Sequence, residues 1–221
     1  MTERITKQTR LADIVAVKPA AADILDALDI DYCCGGNRSL EEALSDSAHE
    51  AAAVAGELDA IRAPADRNWR NAELPELIDY ILATHHVFVR RELVAIDPLL
   101  QRVMHAHFQN YGETLTEIHR RFSALKGELE LHLMKEEEVL FPRILAGSSE
   151  SLEPLREMED EHAVAGEILH ELRDLTEGFD PPEGACESFR ELYQRLQALS
   201  ADIHRHVHLE NYVLAPRVRG A

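Results

Sequence analysis

Apolar residues recur at steps of three and four along most of the chain, the period of a helix buried on one face, while no stretch alternates in the manner of a strand. An early segment carries Ile14, Val15, Ile24, Leu25, Leu28 and Ile30, with Pro19 marking a second helix start. The run "DYCCGGNRSL" interrupts it, and Ser39 then has the chemistry of an N-cap for a helix running towards Ile61. "RAPADRNWRNAELP" follows as a breaker-rich connection and places a boundary there, giving segments 1–64 and 65–221.

The second segment predicts four longer helices. One starts at Pro75, a favourable first-turn residue, and runs to about Ile96. Another fills roughly 110–145, bending or ending around Pro142. A third covers Ser151 to Thr176, and the fourth runs from Ala185 to Leu214 after the breaker run "EGFDPPEGA". Four helices with short links imply an all-α, up-down four-helix bundle preceded by a small helical N-terminal domain.

Apolar residues at 45% and charged residues at 29% describe an ordinary globular chain. No run is apolar over the roughly 18 residues that a membrane span needs, and the polar N-terminus lacks a secretory apolar core, so the expected address is cytoplasmic, without membrane contact. A net charge of -18 with no basic run argues against nucleic acid as a partner. Most of those carboxylates are expected on solvated helix faces. Three cysteines do not make a disulfide framework, and 12 histidines against 23 Lys plus Arg turn attention to metal.

The second and fourth helices share a motif. "LHLMKEEEVLFP" and "RHVHLENYVLAP" each place a histidine four residues before a glutamate, followed by an aliphatic pair and a proline: His132 with Glu136, His206 with Glu210. Residues four apart share a helix face, so each pair offers an imidazole and a carboxylate to one cavity. A single such pair is commonly a surface hydrogen bond; two copies among apolar neighbours are a different matter. The first helix adds "THHVFVRREL", where either His85 or His86 fits the apolar stripe, and the third adds His162, four beyond Met158 and seven before Leu169.

Four imidazoles shared between two ions give each two nitrogens, and two bridging carboxylates with a solvent-derived oxygen bridge bring each to five ligands. Mixed imidazole and carboxylate donors with an open position suit iron or manganese better than a closed tetrahedral zinc, and a non-haem di-iron centre is the expectation. The ferritin-like pattern needs Glu-x-x-His on two helices, and only Glu159 with His162 supplies it near this set. Oxygen-carrying hemerythrins place a further histidine four residues after the third-helix ligand; Gly166 stands there.

Together "DYCCGG", "HLMKEEEVLFP", "EDEHAVAGEIL" and "HVHLENYVLAPR" resemble the iron-sulfur cluster repair di-iron (RIC) family over essentially the whole chain. The resemblance implies a hemerythrin-like bundle behind a small double-cysteine domain, and a role in restoring iron-sulfur clusters damaged by nitric oxide or peroxide. It selects His86, four residues before Arg90, over His85, and implies His86, His132, Glu136, His162, His206 and Glu210 as ligands of two iron ions bridged by the two glutamates and an oxo or hydroxo group. His208, two residues from Glu210, is expected to face away. The implied partners are damaged iron-sulfur proteins and nitric oxide or oxygen species, with a homodimer as the implied assembly.

For Cys33 and Cys34 two readings stand. One is a packed turn in which Gly35 and Gly36 supply unusual dihedrals, adjacent side chains being poorly placed to chelate one ion. The other is a redox or transfer site that hands an iron, a nitrosyl group or an electron towards the bundle. Cys186 reads as a small buried residue. Repair by iron donation or by nitric oxide chemistry is the leading function, and a hemerythrin-like oxygen or nitric oxide sensor or carrier is the alternative.

Overall fold

The protein, seen as a computed structural model, is described over residues 4–62 and 69–220; the boundary expected at residues 64 and 65 lies outside them. It is all-α, and among the described residues the only bridge is the isolated antiparallel pairing of Arg10 with Ser39. Two compact units are distinguished, Met1–Leu77 with His204–Ala221, and Ile78–Ile203.

In the first unit, α1 (Leu11–Val17), α2 (Ala21–Ala27), α3 (Leu40–Ala43) and α4 (Ala51–Ala60) surround a core that includes Leu11, Ile14, Leu25, Leu40, Leu58 and the ring of Tyr32. Ser39 caps α3 as its position predicts: its Oγ accepts the Glu42 amide at 3.2 Å while the Glu42 carboxylate accepts the Ser39 amide at 2.8 Å. The helix does not continue to Ile61. Ser45 to Glu50 is polar, and the Ser47 hydroxyl accepts the His49 amide, a local bond that competes with helix, so α4 starts afresh at Ala51. The buried Lys18 ammonium donates to the carbonyls of Leu58 and Asp59, where the dipole of α4 favours a cation.

Helix α5 spans Leu74–Tyr80, and in the second unit α6 (Val87–Lys135) folds back on itself. Tyr111 leaves the helical region (φ -130°, ψ 17°), and the pairs His86 with Glu137 and Asp97 with Lys126 are both centred on residues 111 and 112. The first leg therefore runs well beyond the expected end at Ile96: Pro98 lies inside the helix. The second leg continues through α7 (Phe141–Leu145) to Gly147, whose φ of 64° and the bonds Gly147 N to Ile144 O and Ser148 N to Arg143 O form a Schellman stop. α8 (Leu152–Leu175) and α9 (Glu187–Leu209) match the third and fourth expected helices closely. Val89, Leu93, Phe122, Leu125, Leu169 and Leu196 are among the buried side chains of these legs. Cys186 is exposed, contrary to its expected burial, because it precedes α9 and faces His107, whose Nε2 is 3.2 Å from its Sγ.

Among the described residues three π-helical turns interrupt the helices: Ile81–His86, Glu136–Leu140 and Glu210–Leu214. In the latter two a proline follows the glutamate by six residues, Pro142 and Pro216. Proline has no N–H to return to the carbonyl four back and its ring crowds that carbonyl. The backbone widens instead, so that the Phe141 amide reaches Glu136 O and the Ala215 amide reaches Glu210 O. Such turns concentrate at functional sites, and here each begins or ends on a candidate ligand.

Candidate metal centre

Glu136 is the pivot of the second unit. Its side chain is fully buried, and its two oxygens face two imidazoles: Oε2 is 3.3 Å from His86 Nε2, and Oε1 is 3.4 Å from His132 Nε2. His162, on α8, brings its Nε2 to 3.1 Å from that of His132. All three histidines are at most 5% exposed.

The other face of two of these rings is tied down. His86 Nδ1 is 2.7 Å from Glu137 Oε1, which also accepts from Arg90 at 2.9 Å. His132 Nδ1 is 2.9 Å from Glu161 Oε2, and Glu161 also pairs with Lys135. The hydrogen bond from His132, opposed by partial burial and reinforced by Lys135, pushes the Glu161 carboxyl down to about 2. Burial works to raise the Glu137 carboxyl, but His86 and Arg90 together hold it below its ordinary value.

An ionised carboxylate only accepts, so each Nδ1 is the donor, and in the neutral imidazole Nε2 is left as the lone-pair atom. Those lone pairs point at the oxygens of Glu136. Such an arrangement is repulsive when bare and is stabilised by a cation among the donors; carboxylate at Nδ1 and metal at Nε2 is the usual orientation of a ligating histidine. The separations of 3.1–3.4 Å are near the ~3 Å between neighbouring donors of a six-coordinate ion with bonds of about 2.1 Å. The residues fit a metal, and imidazole with carboxylate suits iron.

In the first unit His206 and Glu210 repeat the pairing, His206 Nε2 lying 3.1 Å from Glu210 Oε1 with both side chains buried. His208 turns elsewhere, its Nε2 donating to Ala12 O at 2.9 Å while burial pushes its pKa down to about 4. His85 is buried against Asp202, at 3.0 Å, with its ring edge-on to Tyr80.

The double-cysteine motif also belongs to the first unit. Asp31 gathers it, accepting the amides of Cys33, Cys34 and Gly35 at 3.0, 2.8 and 2.8 Å. Asn211 Nδ2 donates to Cys33 O at 2.9 Å and the Tyr212 hydroxyl to Cys34 O at 3.1 Å, so the motif is held by the two residues that follow Glu210. Gly35 and Gly36 are not among the positive-φ residues, which corrects the expectation of unusual dihedrals. They are there for space: a Cβ on Gly36 would lie 2.4 Å from Tyr32 O and 2.7 Å from the Tyr212 ring.

Sequence reasoning missed Glu137, Asn211 and Tyr212, and did not tie Glu161 to His132. The available signal was adjacency, since Glu137, Asn211 and Glu161 each sit one residue from a candidate ligand.

Comparison with known proteins identifies the family of the chain. The hemerythrin HHE cation binding domain matches residues 77–218. A protein named iron-sulfur cluster repair protein YtfE from Enterobacter sp. (strain 638) is 34% identical over 209 residues, covering 94% of this chain and 94% of the relative. The chain belongs to the hemerythrin-type iron-sulfur cluster repair family. Iron-sulfur cluster repair protein ScdA of Staphylococcus haemolyticus (strain JCSC1435) is 32% identical over 219 residues, covering 95% of this chain and 97% of the relative. The YtfE protein of Escherichia coli O17:K52:H18 (strain UMN026 / ExPEC) is 34% identical over 212 residues, with 94% of each chain covered. A second family match, to a domain of unknown function named ScdA_N, spans residues 7–62 and contains Cys33 and Cys34. The hemerythrin match contains all six candidate ligands of the family pattern. Among the described residues no helix is long and apolar enough to cross a membrane.

Proposed function

We propose that this protein restores damaged iron-sulfur clusters, and that His86, His132, Glu136, His162, His206 and Glu210 hold two non-haem iron ions with the two glutamates as bridges. The observation that carries the reading is the fully buried Glu136 carboxylate, each oxygen turned to a different histidine, as a bridging ligand requires. Supporting the inclusion of His206 and Glu210 are their matching spacing, their burial, the π turn and proline they share with the second helix, and a family match that treats residues 77–218 as one domain.

Bound iron supplies redox capacity, open coordination positions and a metal available for transfer. The chain's own residues fix the rest. Glu137 and Glu161 hold the His86 and His132 rings with Nε2 inward. The apolar neighbours exclude water, and Asn211 with Tyr212 keeps the Cys33–Cys34 backbone beside the turn that starts at Glu210. In this reading Cys33 and Cys34 are the transfer site, and the partners are damaged iron-sulfur proteins, with nitric oxide or oxygen species as co-reactants and a cytoplasmic homodimer as the working form.

The test is reactivation of a cluster-containing dehydratase inactivated by nitric oxide. Iron-loaded protein is expected to restore activity and Glu136→Ala to lose it; restoration by Glu136→Ala equal to wild type contradicts the reading. A hemerythrin-like sensor or carrier would bind oxygen or nitric oxide with no restoration.

A further inference from the structure

We propose that Cys33 and Cys34, with Asp31, form a second metal site: a dithiolate chelate for a soft or borderline divalent cation, separate from the histidine–carboxylate centre.

The expectation from sequence was that adjacent cysteines are poorly placed to share one ion. The turn built by Asp31 changes that. Three successive amides drawn onto one carboxylate curl the backbone so that both sulfurs emerge on the same side, Cys33 Sγ 3.7 Å from Cys34 Sγ. Two sulfurs bound tetrahedrally at ~2.3 Å stand about 3.8 Å apart, so the thiols already occupy an edge of such a polyhedron. Asp31 Oδ1 lies 3.3 Å from Cys33 Sγ, and the donor atoms of all three residues fall within 4.8 Å of one another. Of the about four lone-pair positions of a carboxylate, the Cys33 and Cys34 amides use the two on Oδ1 and the Gly35 amide one on Oδ2, leaving a position on Oδ2 for a third bond. Exposure differs usefully between the sulfurs. Cys33 is 3% exposed and anchored, whereas Cys34 is exposed and provides the entry.

Binding forms two metal–sulfur bonds, breaks two S–H bonds and releases two protons to solvent, with no change of oxidation state. Cys33 resists ionisation, first through its bond with Cys34 and then through burial, so uptake strengthens as pH rises. The soft donors favour iron(II), cobalt(II) or zinc over magnesium or calcium. Held by Asn211 and Tyr212, the site sits beside the turn that opens on Glu210, where an ion in transit would pause; that role, unlike the site itself, rests on the proposed function.

The experiment titrates cobalt(II) into the full-length, iron-loaded protein under anaerobic conditions and follows the near-ultraviolet sulfur-to-cobalt charge-transfer band, which the sulfur-free bundle centre does not give. One equivalent is expected to develop the band with about two protons released. Cys34→Ala, a surface change that leaves the helical circular dichroism intact, is expected to lose it, and Cys186→Ser to keep it. No band in wild type, or an equal band in Cys34→Ala, overturns the site. A band in a protein inactive in repair sinks the functional reading and leaves the site; an active protein without a band does the reverse.

Discussion

His132 and Glu161 meet at 2.9 Å across two helices, Nδ1 to Oε2, and this contact decides which nitrogen of His132 is offered to a metal. Replacing the carboxylate by an amide in Glu161→Gln removes the charge that fixes the ring. Iron affinity is expected to fall roughly 10–100-fold, the usual cost of losing such a partner. Competition against a chelator of known affinity reads the change, and unchanged affinity would assign Glu161 to the surface.

Glu137 stands to His86 as Glu161 stands to His132, at 2.7 Å. Glu137→Gln is expected to weaken iron binding over the same range of roughly 10–100-fold, with little loss of thermal stability because Glu137 is partly exposed. A chelator assay run beside a melting curve separates the two effects.

Glu92 is a buried carboxylate paired with Arg195 at 2.8 Å between α6 and α9. Arg195→Leu leaves that charge with Arg91 as its ion-pair partner among the described residues, and a loss of about 1–3 kcal/mol is expected. The double change Glu92→Leu, Arg195→Leu is expected to recover most of it. Urea unfolding of the set measures both; equal stability of the single variant and wild type would contradict the assignment.

Gly36→Ala forces a methyl against Tyr32 O at 2.4 Å and the Tyr212 ring at 2.7 Å. Destabilisation of about 1–3 kcal/mol is expected, typical of overpacking, together with easier alkylation of Cys33 as the turn loosens. Unfolding curves and thiol labelling test the two parts.

Asp97 and Lys126 join the two legs of α6 at 2.8 Å. The bond to Lys126 lowers the Asp97 carboxyl, and the same bond raises the Lys126 ammonium. A depressed acid contributes stability above its unfolded value near 3.8 and loses it as pH falls further; a raised base contributes below its unfolded value near 10.5 and loses it as pH rises. Lys126→Met is therefore expected to cost a few tenths of a kcal/mol between pH 5 and 9, solvent screening included, with the difference vanishing at both extremes. Melting curves across pH would show it.

The helical class and the two His-x-x-x-Glu pairs were readable because helical periodicity alone puts residues four apart on one face. What could not be read were relations between helices. Glu137 lies in the run "KEEE" and looks like solvated charge until α6 folds back and brings it to His86. The first helix was expected to run only to about Ile96, because the sequence does not show that the surrounding packing tolerates Pro98 inside a helix. The split between α3 and α4 turned on one serine hydroxyl, and the exposure of Cys186 on where α9 begins. In "DYCCGG" the glycines pointed to a turn, but the need was room for a tyrosine ring from a residue far along the chain.

The most direct test of the central claim is iron content with Mössbauer spectroscopy on anaerobically isolated protein, with His132→Ala and Glu136→Ala alongside. Two spin-coupled irons per chain, lost in both variants, are predicted. A folded wild type that takes up no iron, or one whose iron survives both substitutions, would contradict the account.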